Sequence, residues 1–232
     1  RMTLLDSEET DTFLNRAQLY LQENQAEAAI ADCEYILTKK STDYRAHFLI
    51  GQAYKMLNRP EAAIDSLSKA IEIKNDMADI FLLRSGLLTE LKQYDQALQD
   101  VNTAIRLAPE EENAYMQRGA IYEALKDTPS ALQDYTTVVE LNPFHEQAYL
   151  ETGRLLLEQH LIEEAILHFD EAIENKPDFG RAYTARGKAK ELKGDTIGAL
   201  DDLKRGAELT EETDETSKQP VNFNEMYANR PL

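Results

Sequence analysis

The sequence ENAYMQRGAIYEALKDTPSALQDYTTVVELNP, residues 112–143, carries two amphipathic helical patterns separated by a short turn. In each pattern, apolar or small residues recur three or four positions apart, which is the period of a helix with one buried stripe. Between the patterns, Thr128 is expected to cap the second helix, with Pro129 in its first position. Pro143 is expected to end that helix. The stretch therefore predicts a helical hairpin, and a single hairpin cannot bury its own apolar face.

The same pattern recurs every 34 residues along the chain. Ala131 has alanine counterparts at this spacing, and the small residue Gly119 is matched by Ala17, Gly51, Ser85, Gly153 and Gly187. Six repeats follow without insertions, at residues 10–43, 44–77, 78–111, 112–145, 146–179 and 180–213. A fixed period of this length is typical of a solenoid of stacked supersecondary units.

These repeats resemble the tetratricopeptide repeat (TPR) family over residues 10–213. In the fourth repeat, the aromatic, small and proline positions of the family are occupied by Tyr115, Gly119, Ala131, Tyr135, Val138 and Pro143. Departures cluster at the ends of the array, where Ser41 and Glu211 replace the proline. The resemblance implies an all-α fold, a right-handed α-α superhelix of about twelve antiparallel helices plus a C-terminal tail or capping segment.

The two ends of the chain lie outside the repeats. Residues 1–9 form a lead-in, where Asp6 or Ser7 is expected to cap the first helix. Helices should then alternate to near Leu209, and residues 214–232 are expected to form a partly ordered tail. Alternatively, that tail forms a short capping helix or docks into the groove of another protomer.

The charge balance limits the classes of partner. The net charge is −18, from 43 acidic and 25 basic residues, and no basic stripe is visible. We therefore expect no nucleic-acid binding and no docking on acidic membranes. No apolar run is long enough for a membrane span. A soluble, cytoplasmic protein is favoured, although a removed signal peptide would make it secreted or periplasmic. The lone Cys33 is expected to be a packed thiol.

Comparison of the repeats with one another predicts a set of ion pairs. Arginine at position 7 and aspartate at position 23 occur together in four repeats and are both absent from the other two. A guanidinium fork fits a carboxylate, so each pair is expected to join the two helices of its hairpin. The predicted pairs are Arg16 with Asp32, Arg84 with Asp100, Arg118 with Asp134, and Arg186 with Asp202.

The resemblance places the first helix of each repeat on a concave, peptide-binding face. Position 5 there is an apolar row of Leu14, Phe48, Leu82, Met116 and Leu150, and position 9 supplies Gln18 and Gln52. Exposed apolar rows often mark interaction surfaces. The alternative is that these residues pack between neighbouring first helices.

Three cations, Arg154, Arg181 and Lys188, also fall on this face in the fifth and sixth repeats. They are expected either to receive an acidic side chain or peptide C-terminus, or to pair with glutamates of the chain itself. The candidate glutamates are Glu151, Glu158 and Glu191.

Catalytic and metal-binding patterns are not recognisable in the sequence. The four histidines fall in different phases of the repeat without metal-ligand spacing, so neither a metal nor a cofactor is expected. The carboxylate clamp of chaperone-binding TPR proteins is also missing, because Leu14, Gln18, Leu49, Asp79 and Leu83 occupy its positions.

The sequence thus predicts a non-enzymatic scaffold that binds a protein or peptide in its concave groove. The alternatives are a homo-oligomerisation module, with self-association as its signature, or the regulatory arm of a larger protein.

Overall fold

A computed structural model describes the backbone of residues 4–218 and the side chains of residues 8–210. Within this part of the chain, all regular structure is α-helical. The helices are α1 (Leu4–Gln22), α2 (Ala26–Lys39), α3 (Tyr44–Met56), α4 (Pro60–Ile73), α5 (Ala78–Glu90), α6 (Tyr94–Leu107), α7 (Glu112–Ala124), α8 (Thr128–Leu141), α9 (Glu146–Glu158), α10 (Ile162–Asn175), α11 (Gly180–Lys193) and α12 (Thr196–Lys218). Each predicted repeat holds two of them, which confirms the all-α fold class.

Each hairpin turn is built in the same way. A residue with positive φ ends the first helix of every repeat, at Asn24, Asn58, Lys92, Lys126, His160 and Gly194. The amide of the residue that follows it donates to the carbonyl five positions earlier, over 2.7–3.0 Å. This is the Schellman arrangement, in which a left-handed residue lets the chain reverse while the last carbonyls of the helix stay bonded.

Three details of the predicted helix ends differ from the structure. Helix α1 begins at Leu4, so the backbones of Asp6 and Ser7 lie inside the helix rather than at its N-cap position. The second helix of repeat 4 begins at Thr128, with Asp127 before it; the Asp127 carboxylate accepts hydrogen bonds from the amide and the hydroxyl of Ser130. A carboxylate is at least as good an N-cap as a threonine hydroxyl.

Helix α12 ends at Lys218, beyond the predicted end of the sixth repeat at residue 213. Residues 219–232, where a capping helix or docking tail is predicted, lie outside the described residues.

The chain forms two compact bodies, Arg1–Asp134 and Tyr135–Leu232, although the sequence shows a single uninterrupted array. The boundary falls within α8 rather than between two repeats. In a solenoid each hairpin packs mainly on its neighbours, so the sequence period does not mark such a boundary.

The core of each body consists of small clusters between successive helices. In the N-terminal body, one cluster joins α1, α2 and α3 around Ala17, Cys33 and Ile36. In the C-terminal body, Phe169 of α10 occupies the corresponding place. Cys33 is fully buried as predicted, and burial, with the nearby Asp32 charge, raises the pKa of its thiol to about 12. It is therefore an inert packing group at neutral pH.

Small residues at position 8 let the two helices of a hairpin approach closely. A methyl group added to Gly153 would lie 2.6 Å from the Phe169 ring.

None of the described helices is both long and apolar enough to cross a membrane.

Candidate functional site

All four arginine–aspartate pairs predicted from the repeat comparison are present. In each pair the guanidinium donates two hydrogen bonds of 2.6–2.9 Å to the aspartate sixteen residues later. Both helices of the hairpin are thereby tied by a bidentate, charge-assisted contact. These side chains have a structural role.

The same arginines also reach the preceding repeat, which the sequence comparison did not predict. The remaining guanidinium nitrogen of Arg84 donates to Ser68, that of Arg118 to Asn102 and that of Arg186 to Asp170, over 2.6–2.9 Å. Each acceptor stands at position 25 of the repeat before the arginine. The aligned repeats therefore show a polar residue at the place where this bond forms. Arg16, in the first repeat, makes no third bond of this kind among the described residues, and its side chain is 49% exposed.

The two repeats without the ion pair replace it differently. In the second repeat, Ile50 is buried and the Ser66 hydroxyl donates to the Ala62 carbonyl. In the fifth, Thr152 Oγ1 and His168 Nδ1 are buried with no hydrogen-bond partner among the described residues. Burial lowers the pKa of His168, against the raising effect of the Glu171 charge. The fifth hairpin therefore contains a local polar defect.

The first helices of the N-terminal body line an open concave surface, here called the N-terminal groove. It consists of three adjoining hollows of about 670, 480 and 490 Å³ that all include Gln52. Phe48, Leu82 and Leu83 provide the apolar part of its lining.

Side-chain amides dominate the polar part of the N-terminal groove. They belong to Asn15, Gln18, Gln22, Gln52, Asn113 and Gln117. Gln117 donates to the Leu82 carbonyl, and Asn113 donates to Glu111. The other four have no hydrogen-bond partner among the described residues. Each carries both donors and an acceptor, so the groove presents hydrogen-bonding groups of both kinds that are not engaged by other described residues.

Charges in the N-terminal groove are few and largely neutralised within the protein. Arg45 pairs with Asp11 at 2.8 Å and with the buried Asp43 at 2.9 Å. Burial alone would raise the pKa of Asp43, but hydrogen bonds from Arg45 and Lys40 outweigh it and lower this pKa to about 2. The remaining charged residues of the lining are Lys55 and Asp79, one of each sign.

The predicted apolar row divides between core and groove. Leu14 and Leu150 are buried in core clusters, although each also borders a cavity. Phe48 and Leu82 are half-buried and line the N-terminal groove. Met116 is half-buried. Gln18 and Gln52 lie in the groove wall.

The C-terminal body has a cavity of its own, of about 310 Å³, bordered by Arg154, Arg181 and Lys188. Arg154 bonds to Glu151 and Glu158, and Arg181 lies 3.6 Å from Glu151. The three predicted cations are thus brought together, and two of them pair with glutamates of the chain.

The lining of the N-terminal groove includes further residues at positions that the resemblance assigns to the groove. These are Asp79 and Asn113 at position 2, and Lys55 and Thr89 at position 12. Asn15, Leu83 and Gln117 stand at position 6, which was predicted only as a position of the missing carboxylate clamp.

The class of protein follows from this architecture: stacked helical hairpins, four of them tied by partly buried ion pairs, display a concave face of first helices in each body. The tetratricopeptide repeat family matches the sequence at residues 44–77, 87–146 and 127–178, which together exceed half of the chain. The chain belongs to the tetratricopeptide repeat family.

Three solved structures illustrate the similarity of fold. PilF of Pseudomonas aeruginosa is 18% identical, with a TM-score of 0.74 over 97% of this chain and 99% of that one. A tetratricopeptide repeat protein of Parabacteroides merdae is 21% identical, with a TM-score of 0.72 over 92% of this chain and 81% of that one. YrrB, a TPR protein with an unusual peptide-binding site, is 20% identical, with a TM-score of 0.62 over 76% of this chain and 91% of that one.

Proposed function

We propose that this protein is a non-catalytic scaffold that binds an extended peptide segment of a partner protein in the N-terminal groove. The observation that carries the proposal is a set of four amide side chains, Asn15, Gln18, Gln22 and Gln52, which bond to no other described residue and lie beside an apolar lining. Side-chain amides can pair with the donors and acceptors of a peptide backbone. The apolar lining would receive the side chains of that peptide.

The charges of the N-terminal groove also limit the charge of the peptide that it can bind. Because the N-terminal groove carries few charges and pairs Arg45 internally, it offers a highly charged peptide little compensation for lost hydration. We therefore expect a largely uncharged segment. A framework of stacked hairpins loses little conformational entropy on binding, which favours affinity.

A peptide selection tests this function. Random peptides displayed on phage are selected against the purified chain, and those bound are measured by titration against variants. Phe48→Glu places a charge in the N-terminal groove and should weaken binding at least about tenfold, through loss of apolar contact. Phe144→Glu is the matched control, because Phe144 is 76% exposed in the C-terminal body, outside the N-terminal groove. Equal binding by both variants would exclude the groove as the binding site.

Self-association is a second candidate function, favoured by the surface at the end of the array. Leu200 is 67% exposed, whereas the equivalent Ile64, Leu98 and Ile166 of earlier repeats are half-buried. Ile197 is 79% exposed on the same helix. A second copy of the chain covering this surface would produce a concentration-dependent dimer in sedimentation, abolished by Ile197→Glu with Leu200→Glu. A monomer at all concentrations would contradict this candidate.

A further inference from the structure

The cavity of the C-terminal body differs in chemistry from the N-terminal groove. Its apolar lining is formed by Leu150, Leu157, Phe169 and Ala185, and its charged lining is Arg154, Arg181, Lys188 and Glu151. Even with Glu158, which pairs with Arg154 at 2.7 Å, counted beside Glu151, the three cations leave a local excess of positive charge in a chain whose net charge is −18. Such a reversal of sign attracts acidic groups.

Glu151 takes up much of the positive charge that faces inward. Its side chain is only 15% exposed and accepts hydrogen bonds from Arg154 and Gln147, while Arg181 lies within ion-pair distance. Despite this contact with Glu151, the Arg181 side chain is 66% exposed. Lys188 is exposed and has no hydrogen bond or ion pair among the described residues. Lys188 and the outer edge of Arg181 are therefore available to a ligand.

The spacing of these two cations suits an extended chain. Arg181 and Lys188 are both on α11, seven residues apart, which corresponds to about 10.5 Å along the helix axis. In an extended peptide of polyproline II conformation, side chains three residues apart lie on the same face, about 9.3 Å from each other. One such segment can therefore place an acidic side chain near each cation, with two aliphatic residues between them.

We propose that the C-terminal cavity binds an extended peptide segment in which two acidic residues, three positions apart, flank two aliphatic residues. The carboxylates of that segment bond to Lys188 and Arg181, and its aliphatic groups contact Leu150, Leu157 and Ala185. A free carboxyl terminus would supply only one point of negative charge, so the spread of the cations favours an internal segment. This inference rests on the proposed peptide-binding function but uses a different cavity, so each can fail without the other.

The test is a titration of the full chain, monitored by amide NMR shifts at low salt, with two probes. One is the acetylated, amidated peptide Gly-Glu-Leu-Leu-Glu-Gly, and the other has glutamine in place of both glutamates. The acidic probe should bind at least about tenfold more tightly, because charge-assisted bonds to lysine and arginine are lost in the amide version. Equal affinity of the two probes would overturn the proposal.

Single substitutions show whether the acidic probe binds in the C-terminal cavity. Lys188→Glu should weaken the acidic probe at least about tenfold. The control Lys204→Glu makes the same charge change at an exposed lysine of α12 outside the cavity and should have little effect. Glu151→Gln removes the internal competitor and should tighten binding about two- to fivefold.

Three outcomes contradict the proposal: Lys188→Glu and Lys204→Glu behave alike, Glu151→Gln weakens binding, or a probe with a free carboxyl terminus binds more tightly than the amidated one. Phe48→Glu separates the two sites, because it disrupts only the N-terminal groove. Amide spectra of each variant show whether its fold is retained.

Discussion

Arg118 shows how one side chain can join two repeats. Its guanidinium bonds to Asp134 of its own hairpin and to Asn102 of the hairpin before it. The ring of Tyr115 lies 5.5 Å from the guanidinium carbon, within cation–π range. Since Asp134 is almost completely buried, loss of the arginine would leave an unpaired carboxylate in the interior.

We expect Arg118→Met to lower the free energy of unfolding by about 2 kcal/mol, because the buried Asp134 carboxylate loses its charged partner. Arg16→Met should have a smaller effect, since Arg16 lacks the cross-repeat bond and is 49% exposed. Urea unfolding of both variants and the wild type measures the difference. Equal losses would show that the contact with the preceding repeat adds no stability.

The unpaired Thr152 hydroxyl in the fifth hairpin predicts a substitution that raises the free energy of unfolding. Replacing Thr152 with the isosteric valine removes a buried hydroxyl that has no partner, so Thr152→Val should raise the free energy of unfolding by about 1 kcal/mol. Thr103→Val is the matched control, because the Thr103 hydroxyl donates to the Gln99 carbonyl. Thermal or urea unfolding should show a gain only at position 152; a similar gain at both positions would contradict the explanation.

At the scale of the helical element, the hairpin turns combine a shared geometry with varied residues. Lysine at positions 92 and 126 and histidine at position 160 have positive φ, a conformation that costs most residues about 1–2 kcal/mol. Only Gly194, with φ of 89°, meets this demand without strain. The hydrogen bonds of the Schellman turn offset the cost in the other repeats.

Reciprocal substitutions test this strain. Lys126→Gly should raise the free energy of unfolding by about 0.5 kcal/mol, because relief of the left-handed strain exceeds the added entropy of the unfolded chain. Gly194→Ala should lower it by about 1 kcal/mol for the same reason. Lys69→Gly, in the middle of α4, serves as the control and should be destabilising. If Lys126→Gly and Lys69→Gly both destabilise equally, the turn carries no such strain.

Comparison of the repeats predicted most of the helices, turns and intra-hairpin ion pairs, because each depends on residues at fixed positions within 34 residues. The start of α1 at Leu4 was missed because the lead-in has no counterpart in another repeat to compare with. The bond from Arg118 to Asn102 was missed because it joins two repeats. Reading positions 7 and 25 across the repeat boundary would have revealed it.

The candidate site was predicted less completely than the fold. The sequence correctly predicted that Phe48, Gln52 and Leu82 lie on one face. It did not show that Leu14 is mainly a core residue. Burial of that kind depends on how closely successive first helices approach, which the repeat period does not determine. The amides at position 6 were overlooked because that position was compared only with the basic and amide residues of the carboxylate clamp.

At the scale of the whole molecule, charge has two opposing effects on stability. The net charge of −18 produces repulsion that weakens as carboxylates are protonated. Aspartates held by ion pairs act in the opposite direction, because they favour the folded state only while ionised. Asp43 and Asp202 both have lowered pKa values: burial would raise them, but hydrogen bonds from neighbouring cations outweigh it.

The sign of the resulting pH dependence can be derived from Asp43. Its pKa is about 2 in the folded protein, against an ordinary value of 3.8, so its contribution is complete above pH 3.8 and is lost as the pH falls towards 2. The unfolded chain binds the proton more readily across that interval. We therefore expect the free energy of unfolding to fall steeply below about pH 4.

Asp43→Asn isolates this contribution. At pH 7 the variant should be less stable by about 2 kcal/mol, since it loses the ionised carboxylate that binds Arg45 and Lys40. Asparagine does not titrate, so the difference between wild type and variant should shrink from pH 4 downwards and approach zero near pH 2. Urea unfolding at a series of pH values measures both curves. A difference that stays constant over this range would mean that Asp43 stabilises the protein by packing or neutral hydrogen bonds, and that other carboxylates cause the acid unfolding.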